Sequence, residues 1–275
     1  MKKPLVKTVN YFLLAAAAVM VLIPFFWMLG TALKSEAEAL HIPPTLLPKT
    51  YRFDNFAKVI QTEPLMRYFL NTLIVSAFVV LISTMITVLA AYAFARLEFK
   101  GKDFLFAVVL IAVMLPQEIM IITNFMTIAK LKWLNTFRAL ILPYCVNAFN
   151  IFLLRQTMKQ IPEDLYIAAR IDGLTNFKYL WKVVLPVAKP TILTTMLLSM
   201  IWIWDTYAWP NLVTTQDNLR LISNGLKNAF TTSTGNIQYE LQMAAATLVT
   251  IPLILVFVLL RKYIFSGITR GGMKG

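Results

Sequence analysis

EDLYIAARIDGLTNFKYLWKVVLP (residues 163–186) is a polar, charged stretch with helical spacing inside a chain that is otherwise strongly apolar. Hydrophobic residues make up 59% of the 275 positions and charged residues only 14%, whereas soluble domains hold roughly 45–50% apolar residues. A bilayer accounts for such a composition, and a segment like this one must then lie outside it. The segment carries its own boundary signals. Pro162 has no donor to lose at the first position of a helix, and Glu163 and Asp164 suit the positive end of the helix dipole. The helix runs through Ala168, Ala169 and Arg170 to Asp172 and Gly173, the residue type that closes helices in the left-handed conformation. Thr175 can cap a second helix, and Leu185-Pro186 is expected to end it. The prediction is a helix–turn–helix in water. Leu165, Ala168, Leu180 and Val184 can pack against the protein's own helix ends, or the small pair Ala168-Ala169 can let a partner approach closely beside the flanking charges. The residues alone leave both readings open.

Around this segment the sequence reads as membrane spans. Crossing about 30 Å of hydrocarbon takes roughly 20 apolar residues, and six runs qualify, near residues 9–33, 69–94, 104–129, 139–158, 191–212 and 241–263. The first is too long for the apolar core of a signal peptide and lacks a small-x-small cleavage site, so it is expected to stay as a span. The fold class is therefore an all-α membrane protein with six transmembrane helices. Basic residues near span ends stay on the cytoplasmic side. Placing both termini there gives that face 16 of the 26 basic residues and only 5 of the 13 acidic ones. The same arrangement puts 163–186 in the cytoplasm and explains the net charge of +13 without nucleic acid. A nucleic-acid binder would gather its basic residues in a polar domain, and the sequence contains none.

One membrane domain, 1–275, is expected: an external proline-rich loop at 34–67, a six-helix region at 9–263 with a cytoplasmic loop at 159–189, and a tail at 264–275. Cys145 is the only cysteine and His41 the only histidine, so neither a disulfide within the chain nor a cysteine zinc site is expected. His41 beside Pro43-Pro44 reads as a loop residue. No G-x-x-x-x-G-K-[ST] loop is present to hold phosphates; the nearest spacing, Gly267 to Gly272, is followed by Met273. Neither a nucleophile triad nor a metal cluster appears, so the chain is not expected to be an enzyme, to hydrolyse ATP or to carry a cofactor of its own.

Two places could serve a solute path. WIWDTYAWP (202–210) joins Trp202, Tyr207 and Trp209, whose faces can stack on sugar rings, to Asp205, which can accept hydroxyl hydrogen bonds. Trp and Tyr also gather at membrane interfaces, whereas an ionisable residue in a span usually faces a cavity or a partner. Pro116, Gln117 and Glu118 interrupt the third run, either as a tolerated kink or as part of a path lined by Glu118 and Asn124.

The 163–186 segment resembles the loop of bacterial ABC importer permeases written E-A-A-x3-G-x9-I-x-L-P. Ala168, Ala169, Gly173, Leu185 and Pro186 match, Val183 takes the Ile position, and Ile167 stands where the motif has Glu. MLPQEIMIITNF (114–125), NTFRALILPY (135–144), AFNIFLLRQ (148–156), WIWDTYAWPNL (202–212) and the tail FSGITRGGMKG (265–275) extend the likeness over nearly the whole chain. On these residues it is similar to the carbohydrate-uptake branch, the maltose-permease G-type subunits and their glycerol-3-phosphate relatives. The resemblance implies a MetI-like permease fold with a cytoplasmic coupling helix between spans four and five, carried here by Glu163, Asp164, Ala168, Ala169, Arg170, Asp172 and Gly173. It also implies a second homologous permease subunit, two ATPase subunits that bind ATP and Mg, an external solute-binding protein and a carbohydrate substrate. Residues 267–275 are either a frayed end or, by the same likeness, a tail reaching between the ATPase domains. An ion-coupled secondary carrier is the runner-up, but no inverted repeat is found and acids within spans are few. A membrane scaffold would leave Asp205 and the broken third run unexplained.

Overall fold

The computed structural model of the chain describes residues 2–230 and 236–271. In chain order, α1 (Lys2–Ala32) leads to α2 (Glu36–Ala39), α3 (Asp54–Thr62), α4 (Leu65–Arg96), α5 (Lys102–Met114) and α6 (Gln117–Lys130). Then come α7 (Phe137–Ile141), α8 (Ala148–Lys159), α9 (Glu163–Ile171), α10 (Asn176–Tyr179) and α11 (Leu185–Asp205). The order closes with α12 (Ala208–Val213), α13 (Ile222–Ala229) and α14 (Tyr239–Gly271). Among the described residues, three helical stretches are long and apolar enough to cross a membrane: Lys7–Ala32, Leu65–Arg96 and Asn176–Asp205. Two bent pairs, α5–α6 at 105° and α7–α8 at 41°, bring the number to five, and the sixth apolar run lies on α14. Residues 272–275 of the expected tail lie outside the described residues.

The chain forms two compact units. The first holds residues 1–67 and 225–255. Its core joins Ala32, Val59, Phe230, Leu241, Ala244 and Ala245. The C-terminal carbonyls of α1 have no helical donors, and buried Asn55 donates to one of them, Ala32 O, at 2.9 Å and to Lys34 O in the turn that follows at 2.8 Å. Gly30 is needed because a Cβ there would sit 2.7 Å from Leu46 O. The expected external loop thus folds against the end of α1, with short helices in it.

The second unit holds residues 68–224 together with 256–275, and prolines shape it. A proline in a helix interior removes one donor and leaves the carbonyl four residues back unpaired. The fifth run, expected to reach residue 212, ends instead at Asp205, where Thr206 turns extended (φ −66°, ψ 124°). This break places Pro210 in the first turn of α12, where no donor is missed, and the Thr206 carbonyl takes a hydrogen bond from Ser223 Oγ at 2.6 Å. Pro143 acts in the same way between α7 and α8. The carbonyl it would leave unpaired in a continuous helix belongs to Ala139, and Trp209 Nε1 donates to it at 2.9 Å. At Leu115 and Pro116 the backbone becomes extended, and the third run turns into a sharply bent helix pair rather than a kinked single span.

Pro186 overturns one expectation. It does not end the helix begun at Thr175. α10 passes through a π-helical turn at Leu180–Val184 straight into α11, with Pro186 in the first turn of the latter. The wider turn accommodates the missing donor, so the second half of the helix–turn–helix is continuous with the fifth span.

Candidate functional site

The 163–186 segment is built from its sequence signals almost residue by residue. Pro162 is extended (φ −56°, ψ 140°) and caps α9 one position before the helix starts, leaving Glu163 and Asp164 in its first turn. Gly173 has φ +74°. Its N–H donates to Arg170 O at 3.1 Å and the Leu174 N–H reaches Ala169 O at 2.9 Å, the paired bonds of a Schellman ending. Thr175 caps the next helix, accepting from Lys178 N at 3.4 Å.

The two halves close on a core of their own. Ala169 is 4% exposed and packs with Val88, Ala91, Leu154, Tyr179 and Val184. Tyr166 and Tyr179 meet edge to face at 5.1 Å. Tyr166 OH donates to Asn176 Oδ1 at 3.2 Å, and Tyr92 OH to Asn176 O at 3.0 Å. Arg96, at the end of α4, bonds to Glu163 Oε2 and Ile161 O and reaches Met158 O at 3.4 Å. Of the small pair, then, Ala169 faces inward and only Ala168 is exposed. Leu180 and Val184 pack inside while Leu165 does not. The outer side carries Ile167, Ile171 and Phe177, with Ile171 81% exposed, and it is flanked by exposed Asp164, Arg170 and Asp172.

At the other end of the same helices lies a cavity of about 550 Å³. The bend at Leu115-Pro116 brings Glu118 and Asn124 of α6 to its wall, and α11 and α12 bring Trp202 and Trp209. Four of the six expected path residues thus share one space. Asp205 and Tyr207 do not line it; Asp205 is exposed at the last residue of α11. The aromatic wall turns on Tyr144, a residue not singled out from the sequence. Its ring meets Trp202 edge to face at 4.5 Å and Trp209 at 6.4 Å. Trp209 is 4% exposed while Trp202 is 41% exposed, so the first braces the wall and the second offers a ring. Further polar groups reach the cavity from Asn147, Asn150, Ser199 and Thr206. Buried Asn150 donates from Nδ2 to Ser199 Oγ at 3.0 Å, tying α8 to α11. A polar group within a span was the available signal for Asn150 and Ser199.

Residues 83–270, most of the chain, match the family described as binding-protein-dependent transport system inner membrane component. The chain belongs to that family. This permease is 34% identical to the trehalose/maltose transport system permease protein of Thermococcus litoralis, over 94% of this chain and 93% of that one. It is 30% identical to an arabinooligosaccharides transport system permease protein of Halalkalibacterium halodurans, over 98% of this chain and 95% of the relative. Its fold is that of a chain in the crystal structure of a bacterial ABC transporter for import of the acidic polysaccharide alginate. The TM-score is 0.81 at 23% identity, covering 94% of this chain and 96% of that one. The protein is therefore a membrane permease subunit of an ABC importer with the MetI-like fold, not an enzyme.

Proposed function

We propose that this permease pairs with a second homologous permease and two ATPase subunits to carry a sugar or related polar solute, delivered by an external binding protein, across a bacterial plasma membrane. Both termini and the 163–186 segment lie on the cytoplasmic side in this reading, which the distribution of basic residues supports, and ATP and Mg are held by the ATPase subunits. The names of the two curated relatives, both carbohydrate permeases, support the solute class.

The observation that carries this reading is the continuity between the helix–turn–helix and the cavity. α11 follows directly on Val184 of the packed core, adds Ala188 to it, and reaches the cavity at Leu198 and Ser199. The rise from Ala188 to Ser199 is about 16 Å at 1.5 Å per residue. A push on the loop from an ATPase subunit thus moves the cavity wall through one helix. The docking face is Ile167, Ala168, Ile171 and Phe177, with Asp164, Arg170 and Asp172 at its edge. Ile167 replaces an acidic contact with an apolar one, and Glu163 is committed to Arg96. Ala169 and Gly173 serve the docking face by holding the loop's shape.

The test is uptake by the assembled transporter together with co-purification of the ATPase subunit. Ile171→Asp leaves the chain's core untouched and is expected to lower both about tenfold, the size of an interface residue worth about 1–2 kcal/mol. Gly173→Val, forced to positive φ, is expected to do the same by unsettling the turn at a cost of about 1–3 kcal/mol. If both variants keep the ATPase subunit and transport normally, the face is not a docking surface.

A further inference from the structure

The cavity has a charge pattern that bears on which solutes can pass. Among the described residues that line it, Glu118 is the single one bearing a full charge, and none is a lysine, arginine or histidine. Every other polar group is neutral: the amides of Asn124, Asn147 and Asn150 and the hydroxyls of Tyr144, Ser199 and Thr206. We infer that Glu118 is a charge-selectivity residue, and that this half of the path admits uncharged polyhydroxylated solutes and rejects phosphorylated or carboxylated ones. The inference rests on the reading of the cavity as part of the solute's path.

The physical argument is one of pairing. A phosphate or carboxylate leaving water needs cationic or multiple donor partners, because an unpaired charge in a low-dielectric space is strongly disfavoured. Here it would find a like charge instead, and a site discriminates as much by such repulsion as by attraction. A neutral sugar meets the opposite situation. Its hydroxyls can donate to the Glu118 carboxylate and to amide oxygens and accept from amide N–H groups, while the half-open Trp202 ring offers an apolar face. The volume of about 550 Å³ falls within the roughly 300–1,000 Å³ of small-molecule sites. Among the two branches the sequence resembles, the cavity fits a neutral carbohydrate and not glycerol-3-phosphate.

The test reads the cavity's potential directly and needs no knowledge of the solute. Ser199→Cys, in the purified transporter assembled with its partners, places a thiol on the cavity wall; Cys145 is buried, and the parent complex supplies the background rate. Reaction rates are measured with two methanethiosulfonates of similar size, one carrying a trimethylammonium and one a sulfonate, and their ratio is divided by the ratio for a free thiol in solution. The cationic reagent is expected to be favoured about tenfold, and Glu118→Gln should bring the normalised ratio to within about twofold of one. Val146→Cys, on the same wall, is a second reporter should the first disturb the Asn150 bond. A normalised ratio near one with Glu118 present, or one that Glu118→Gln leaves unchanged, overturns charge selectivity while the path reading stands. Thiols that react with neither reagent, at rest and with ATP turnover trapped by vanadate, overturn both.

Discussion

The two ends of α8 and α11 are built to opposite specifications. At one end the helices enter the core around Ala169, Tyr179 and Leu180, where Arg96 and Tyr92 donate to backbone carbonyls and Tyr166 donates to the Asn176 side chain. At the other they border a cavity, joined there by the bond from Asn150 to Ser199. Close packing makes a region stiff because each displaced side chain displaces its neighbours; a cavity has no such chain of contacts. The difference separates a tightly packed end from an open one. Prolines sharpen it, since Pro116, Pro143 and Pro210 all fall at the cavity end, and there the carbonyls left by Pro143 and Pro210 are taken up by Trp209 and Ser223.

Six substitutions probe this contrast. The largest effect is expected at the stiff end. Ala169→Trp overfills a closed core and should lower the thermal stability of the permease in detergent, freed of its ATPase subunits, by about 1–3 kcal/mol, with uptake lost, whereas Ala168→Trp, one residue away on the exposed face, should leave that stability unchanged. Equal destabilisation by the two would show that the loop has no distinct inner face. At the cavity end, Trp209→Phe removes the donor to the Ala139 carbonyl and is expected to destabilise by about 1–3 kcal/mol in the same melting assay; an unaltered melting curve would mean that the carbonyl finds another partner. Smaller still, Ser199→Ala deletes one rung between α8 and α11, and interhelical bonds of this type in membranes average about 0.6 kcal/mol. The smallest effect belongs to Asp205→Ala. Lying off the cavity wall and exposed, Asp205 should keep uptake within about twofold of the parent, while Trp202→Ala lowers it severalfold. The reverse order would place the path on the other side of α11.

Much of this arrangement was legible in the residues. The apolar runs marked three helices and two bent pairs able to cross a membrane, because length and composition suffice for that, and Glu163, Gly173 and Thr175 marked a helix–turn–helix because each signal acts within one turn of the chain. What failed to show depends on neighbours remote in sequence. Nothing local says that a π-helical turn will absorb Pro186, or that Trp209 will give its N–H to a carbonyl 70 positions earlier. Ala168 and Ala169 look alike in sequence, and only the direction of α9 turns one inward. The candidate path residues divide in the same way. Glu118, Asn124, Trp202 and Trp209 converge because the third run bends by 105°, whereas Asp205 and Tyr207 fall outside because the fifth run stops early. Asn147, Asn150 and Ser199 escaped notice because no short pattern joins them.

The π-helical turn at Leu180–Val184 sets an angular phase. It holds one residue more than the α-helical turn it replaces, and each residue of an α-helix advances about 100° around the axis. Every side chain of α11, from Leu185 to Asp205, therefore points about 100° away from where an unbroken helix starting at Thr175 would aim it. Ser199 and Trp202 face the cavity by virtue of an irregularity more than a dozen residues away, beside the loop. The azimuth of the cavity wall is thus written into the loop's own length, and shortening the loop by a single residue would rotate that wall out of place without changing one residue that lines it.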